Sequence, residues 1–359
     1  MFVAWRDLRF AKGRFALMGT VVVLITLLVG LLSGLTAGLA RENTSAITGL
    51  PADHLAFAAP PGGQSVSFTN SSVTEKAWGT WAEQPGVREA QPLGIRTLNA
   101  AAGDRTAAVS AFGAEPAAGL APRGVAPGEA VLSSKAAAEL GAEAGDTVRI
   151  GTLEQRVAAV EGDASYSHTP VVWTSLDDWQ RIGHSGTTTE EQATVIALST
   201  GPGADLGAGD KAAGTTTRSL DEALTAIGSY QAENGSLQLM RGFLFAISAL
   251  VIGAFFTVWT IQRSADIAVL KALGAATGYL LKDALGQAVL MLAAGTGVGT
   301  LIAAGIGALI GGGDVPFVLD AATVLVPAAV MIVLGALGAA LSIRRITAVD
   351  PLTALGSAR

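Results

Sequence analysis

The chain has 359 residues, 50% of them hydrophobic and 14% charged, with no cysteine and a formal net charge of −6. Ordinary soluble domains carry about 25% charged residues, so much of this chain is built to avoid water. The missing cysteines exclude disulfides and thiolate chemistry, and the acidic balance argues against a nucleic-acid partner.

Residues 1–14 interleave Phe2, Val3, Trp5, Leu8 and Phe10 with Arg6, Arg9, Lys12 and Arg14. This pattern predicts an amphipathic entry helix in the inner headgroup layer, Trp at the interface and cations toward anionic lipid. Phe15–Ala40 follows, 26 residues without a charge. A cleaved signal peptide is the alternative, since Ala37–Ala40 is rich in small residues, but a secretory core runs to only about 7–15 residues. The reading adopted is an uncleaved transmembrane helix 1 over 15–40. Within it Gly30, Gly34 and Gly38 recur every fourth residue, stacking on one face where another helix approaches closely. That face serves either packing on the second span or a homodimer contact.

Residues 41–239 hold 12 basic and 23 acidic side chains and read as one extracellular domain with its stalk. Strands are expected at His54–Ala58, Val87–Leu98, Thr106–Gly113, Thr147–Ile150, Gln155–Val160, Pro170–Trp173 and Thr194–Leu198. Helices are expected at Ser133–Leu140, capped by Ser133 and ended by Gly141, and at Leu176–Ile182 behind Ser175. Gly201–Gly214 reads as a flexible loop. Ser219–Met240 reads as a helix running without a break into the next span. The three histidines, His54, His168 and His184, are scattered and read as surface or satisfied polar groups.

Three more uncharged stretches follow: Gly242–Gln262, Ala284–Gly313 and Ala321–Ile343. Each is long enough to cross a bilayer, which takes about 20 residues. They set transmembrane helices 2, 3 and 4 at 240–262, 284–313 and 321–343, with a cytoplasmic loop over 263–283, an outer link over 314–320 and a tail over 344–359. The N-terminus, the 263–283 loop and the tail hold ten basic and four acidic residues. By the positive-inside rule both termini are cytoplasmic and the large domain faces outward. The fold class is thus α+β: a cell-membrane protein with four transmembrane helices and one extracellular mixed α/β domain between helices 1 and 2. None of the stretches Phe15–Ala40, Gly242–Gln262, Ala284–Gly313 and Ala321–Ile343 contains a charge, which disfavours an ion-coupled pump and suits a lipid-accessible cargo.

The loop after the second span reads RSADIAVLKALGA, and its Arg263, Ile267, Leu270, Lys271, Ala272, Leu273, Gly274 and Ala275 resemble the cytoplasmic loop of FtsX/MacB-type ABC transporter permeases. Asp266 replaces the usual Glu with a shorter carboxylate. The tail's Asp350, Pro351, Ala354 and Leu355 resemble that family's C-terminal pattern. The run from GEAVLSSK to TPVVWTSLDDW is similar in order to its small barrel-like subdomain. The resemblance implies a non-catalytic permease, a homodimer working with two copies of an ABC ATPase that alone carries ATP and Mg. Consistent with that, no Gly-Lys dipeptide exists in the chain, so it has no phosphate-binding loop of its own. It also implies that Arg263, Asp266, Ile267, Leu270, Lys271 and Gly274 couple the permease to the ATPase.

The entry segment AWRDLRFAKGRFALMG and the modest outer domain resemble the haem-efflux permeases of Gram-positive bacteria most. That resemblance implies haem as cargo, met by carboxylate, Tyr or Met side chains near the outer ends of the first two spans. Glu42, Tyr230, Glu233 and Met240 stand there, although interface Tyr and solvated Glu are also ordinary boundary chemistry. No permanently bound cofactor or metal is expected. Two other functions stay open at this point: an FtsX-like signalling subunit controlling a cell-wall hydrolase, or an exporter of lipoproteins or peptides.

Overall fold

The computed structural model describes residues 12–183, 192–262, 269, 273–311 and 315–347. The chain divides into a unit of Met1–Gly38 with Ser236–Arg359 and a unit of Leu39–Gly235. Helix α1, Lys12–Thr48, contains no proline and continues through the polar RENTSAIT beyond its apolar stretch. It ends where Gly49 N–H reaches back to the Ser45 carbonyl, 3.0 Å away.

The Leu39–Gly235 unit then runs β1 (His54–Ala58), β2 (Val73–Thr74), α2 (Glu75–Ala82), β3 (Val87–Ala102), β4 (Arg105–Ala114), β5 (Glu129–Leu132) and α3 (Ser134–Leu140). It continues with β6 (Thr147–Ile150), β7 (Leu153–Val160), β8 (Ser165–Tyr166), β9 (Thr169–Ser175) and α4 (Leu176–Gly183). The last elements are β10 (Gln192–Ala193), β11 (Val195–Thr200), α5 (Leu206–Ala213), β12 (Thr215–Ser219) and α6 (Leu220–Ala223).

β3 organises this unit. Its first half pairs with β11, and β1 lies beyond, held between β11 and β12. Its second half pairs with β4 and, at Ala100 and Ala101, with Ile150 and Arg149 of β6. That last pairing closes β3, β4, β9, β5, β7 and β6 into a barrel, which removes the open edges a sheet otherwise exposes. Side chains alternate in and out as the pleat requires, most clearly in β6 and β7. One core holds Leu55, Phe57, Leu93, Ile95, Phe112 and Trp173 against Ala46 and Ile47 of α1 and Leu50 just beyond it. Its aromatic rings Phe57, Phe68, Tyr166, Phe112 and Trp173 meet edge to face in sequence. A second core gathers Trp81, Val109, Leu132, Leu140, Ile150 and Ile196.

The capped helices behave as their sequences dictate. Ser133 Oγ accepts from Ala136 N–H, and Gly141 ends α3 at φ 64°. Ser175 Oγ accepts from Asp178 N–H at 3.1 Å. Two expectations are corrected. Gly201–Gly214 is not a loop throughout: Asp205 caps α5, Gly214 ends it in the left-handed region, and Gly209 inside it is buried. A Cβ at Gly209 would lie 2.2 Å from the Trp81 ring, so a helix poor in side chains forms because a tryptophan packs on its backbone. Ser219–Met240 is also not one helix. A capping box of Ser219 and Glu222 opens α6, a 3-10 turn occupies Leu224–Ala226, and Ile227 is extended. The long helix α7 starts afresh at Tyr230 and reaches Gln262.

Helices α8 (Thr277–Ile310) and α9 (Ala321–Thr347) complete the other unit. Among the described residues, four helical stretches, Ala16–Thr48, Tyr230–Gln262, Lys282–Ile310 and Ala321–Leu341, are long and apolar enough to span a membrane. Met18, Val22, Val29, Ile252, Phe256, Leu292 and Met331 form their shared core. The chain is a multi-pass membrane protein with an extracellular domain between its first two spans.

Candidate functional site

The polar continuation of α1 and the opening turn of α7 both belong to the outer unit, and the β8–β9 hairpin ties them together. The hairpin turns on Ser167 and His168, with φ 49° and 63°. Two successive positive-φ residues are what the two-residue turn between right-twisted strands requires. Asn or Gly fills such positions most cheaply, and here neither is present. Backbone bonds to α1 hold the strained turn instead. Ser167 N–H donates to the Asn43 carbonyl at 3.0 Å and His168 N–H to the Glu42 carbonyl at 3.2 Å. Ser45 Oγ meanwhile accepts from Ser165 N–H at 2.9 Å.

The same turn aims the imidazole at two carboxylates. His168 Nε2 lies 2.8 Å from Glu233 Oε2, and Nδ1 lies 4.0 Å from Glu42 Oε2. Contact with a carboxylate assigns the proton to Nε2. Asn43 Nδ2 donates to Glu233 Oε2 at 2.8 Å and reaches Ser229 Oγ at 3.4 Å. Lys135 Nζ closes on Glu42 Oε1. Asn43 is 1% exposed, and its Oδ1 is buried with no hydrogen-bond partner among the described residues. The result is a half-buried constellation of two carboxylates, an imidazole, an ammonium and an amide, at the roots of the helices that become the first two spans.

Of the four residues expected to meet a cargo, the structure brings two together, Glu42 and Glu233. Tyr230 instead packs partly buried against the aromatic core. Met240 lies further along α7 and is 45% exposed. His168, Asn43, Lys135 and Ser229 were not anticipated as a group. The one signal available was the two-residue gap between the strand-like Ser165–Tyr166 and Thr169–Pro170, which forces residues 167 and 168 into a tight turn. His168 is a satisfied polar group, as its isolation in sequence suggests; His184 lies outside the described residues.

Gly30, Gly34 and Gly38 are covered by the chain itself. A Cβ at Gly30 would meet Ala303 of α8 at 2.9 Å, one at Gly34 the Phe317 ring at 2.2 Å, and one at Gly38 the Pro316 carbonyl oxygen at 2.0 Å. The partner is therefore α8 and the outer link, not the second span. Arg263, Asp266, Ile267, Leu270 and Lys271 lie outside the described residues. Gly274 takes φ 91°, a conformation that disfavours any side chain. Among the described residues no group of three His, Asp or Glu side chains is placed to hold a metal ion.

Residues 15–216 match the MacB-like periplasmic core domain, and residues 239–351 match the FtsX-like permease C-terminal domain. The chain belongs to the FtsX/MacB family of ABC-transporter permeases. Members of this family are non-catalytic membrane subunits that act with a separate ATPase, and this permease is such a subunit. It is 27% identical over 99% of both chains to a Staphylococcus haemolyticus protein whose name describes a hemin transport system permease, HrtB. It is 25% identical, again over 99% of both chains, to an uncharacterized ABC transporter permease of Mycobacterium bovis. The periplasmic region of MacB from Actinobacillus actinomycetemcomitans aligns with a TM-score of 0.35 and 13% identity, covering 50% of this chain and 95% of that one.

Proposed function

We propose that this permease, as a homodimer with two ATPase subunits, expels haem or a chemically similar amphipathic anion from the membrane. The observation that carries the reading is the pairing of Glu42 with Glu233 through His168, on the two helices that continue as spans one and two. The end-to-end similarity to proteins named for hemin transport supports it. Haem combines an apolar face, a ferric iron that accepts oxygen ligands and two carboxylate tails. Glu42, Glu233 and Tyr230 supply oxygen donors, Met240 a soft apolar contact, Lys135 a cation and His168 an N–H donor that suit the tails. While closed, the constellation occupies its own charges. When the helices part, the His168–Glu233 bond opens and the carboxylates become available to the cargo. The segment containing Arg263, Asp266, Ile267, Leu270, Lys271 and Gly274 receives the stroke of the ATPase and passes it along α7.

The test reconstitutes the permease with its ATPase in lipid nanodiscs and titrates haem. ATPase activity is expected to rise with haem. Glu42→Gln and Glu233→Gln are expected to weaken the half-saturating haem concentration about tenfold, the equivalent of one lost charge-assisted contact. Activity flat with haem overturns the cargo assignment. If a cell-wall hydrolase is then captured stably on the outer domain, the permease belongs with signalling subunits instead.

A further inference from the structure

A cavity lined entirely by residues of the outer unit shares none of them with the constellation at the helix roots. It has a volume of about 480 Å³, within the range of roughly 300–1,000 Å³ typical of small-molecule sites. Phe68, Ile95, Tyr166, Trp179 and Ala193 give it apolar walls, and Arg96 stands among them. The rim is hydroxyl and amide: Thr69, Ser72, Thr97 and Gln192.

Arg96 is the unusual member. Of the twelve cations in the outer unit Lys135 and Arg96 are partly buried, and the other ten are exposed. Lys135 has Glu42 as its counter-ion. Arg96 has no carboxylate within ion-pair distance among the described residues. Its guanidinium lies over the Trp179 ring, 4.8 Å from the centroid. Trp179 is fixed in turn, since a Cβ at Gly94 would come 2.3 Å from its indole and one at Gly113 2.3 Å from its Cβ. Burial lowers the pKa of Arg96 from its ordinary value, yet a guanidinium stays charged in proteins. A half-desolvated cation is costly unless something anionic meets it, and among the described residues nothing anionic does. Tyr166 adds a second donor: its hydroxyl makes no hydrogen bond to any described residue, and burial raises its pKa, so it keeps its proton.

We propose that this cavity is a binding site for a small carboxylate with a flat apolar body, its carboxylate on Arg96 and Tyr166 and its body against Trp179, Phe68 and Ile95. Arginine suits this role because its planar fork matches a carboxylate with two parallel bonds, and its stacking on Trp179 holds that fork in place. Three of the rim residues are already engaged: Thr97 Oγ1 pairs with Ser110 Oγ at 3.0 Å, and Ser72 Oγ with Gln192 Oε1 at 3.4 Å. This site does not depend on the haem reading, and haem export and carboxylate binding fail separately.

The experiment uses the full-length permease in nanodiscs and isothermal titration calorimetry with 2-naphthoate. The neutral isostere 2-naphthalenemethanol corrects for partition into lipid. Saturable binding of 2-naphthoate alone is expected. Arg96→Gln should weaken it about tenfold or more, as expected on losing a charged hydrogen-bond partner. Gly183→Ala is the second variant, because a Cβ there would fall 1.5 Å from an Arg96 guanidinium nitrogen, displacing the fork while keeping its charge. It too should weaken binding, with a thermal midpoint measured alongside to show that the domain remains folded. Equal affinity in a folded Arg96→Gln protein, equal affinity for the alcohol, or no saturable binding up to millimolar concentration overturns the proposal.

Discussion

Ser167 and His168 show how a functional contact can rest on a locally unfavourable backbone. A non-glycine residue in the left-handed region costs about 1 kcal/mol or more, and two adjacent ones persist only because surrounding bonds fix them. Ser167→Asn, which tolerates that region, is expected to leave the thermal midpoint of the permease unchanged. Ser167→Val, branched at Cβ, is expected to destabilise it by about 1–2 kcal/mol, read by thermal unfolding in detergent. Asp53 illustrates a conventional device at the same scale. Its carboxylate accepts from Thr200 N–H at 2.7 Å and lies 3.6 Å from Arg88. The Thr200 backbone bond, opposed by partial burial and aided by Arg88, lowers its pKa. A depressed carboxyl pKa contributes stability that is present above the unfolded value near about 3.9 and disappears as pH falls through the folded value. Asp53→Asn should therefore reduce stability at neutral pH and flatten the loss seen below about pH 4, in midpoints measured across pH. Beyond the tight turn at 167 and 168, neither set of contacts was open to sequence reasoning. Both depend on which carbonyl or amide lies opposite after folding, although the residue types Glu42 and Glu233 could be picked out from their places beside apolar spans.

Helices and strands with strong periodicity were legible. Caps such as Ser133 and Ser175, and alternation in β6 and β7, act within a few residues, and the uncharged spans needed only counting. α5 was not legible, because its glycines are demanded by Trp81, an element far away in sequence. The break before α7 was missed for a similar reason: Leu224, Ala226 and Ile227 turn inward to the outer core rather than following a helical face. The glycine stripe of α1 was legible as a close contact but not as to its partner, since Phe317 lies in a short link with no periodicity of its own. Its packing gives a clean test. Gly34→Leu should overpack against Phe317 and cost about 1–3 kcal/mol. Phe317→Ala removes the ring, so the pair Gly34→Leu/Phe317→Ala should recover most of that loss in a double-mutant cycle of thermal stability. Additive losses would show that the two side chains do not meet.

For the whole molecule, the distribution of charge sets orientation and the absence of cysteine makes it measurable. Ser264→Cys, in the segment proposed to receive the ATPase stroke, is expected to react with a membrane-impermeant maleimide only after cells are permeabilised. Ala117→Cys, exposed in the outer unit, should react in intact cells. Reaction at position 264 from outside would reverse the topology and remove the coupling proposal with it. The position of β1 carries one more implication. It lies between β11 and β12, both synthesised long after it. As the polypeptide leaves the ribosome, the first span must therefore wait in the bilayer while nearly the whole outer segment is threaded across unfinished. Only when residue 219 has emerged on the far side are the last strands available to β1, so completing this sheet is timed against insertion of the second span that follows it.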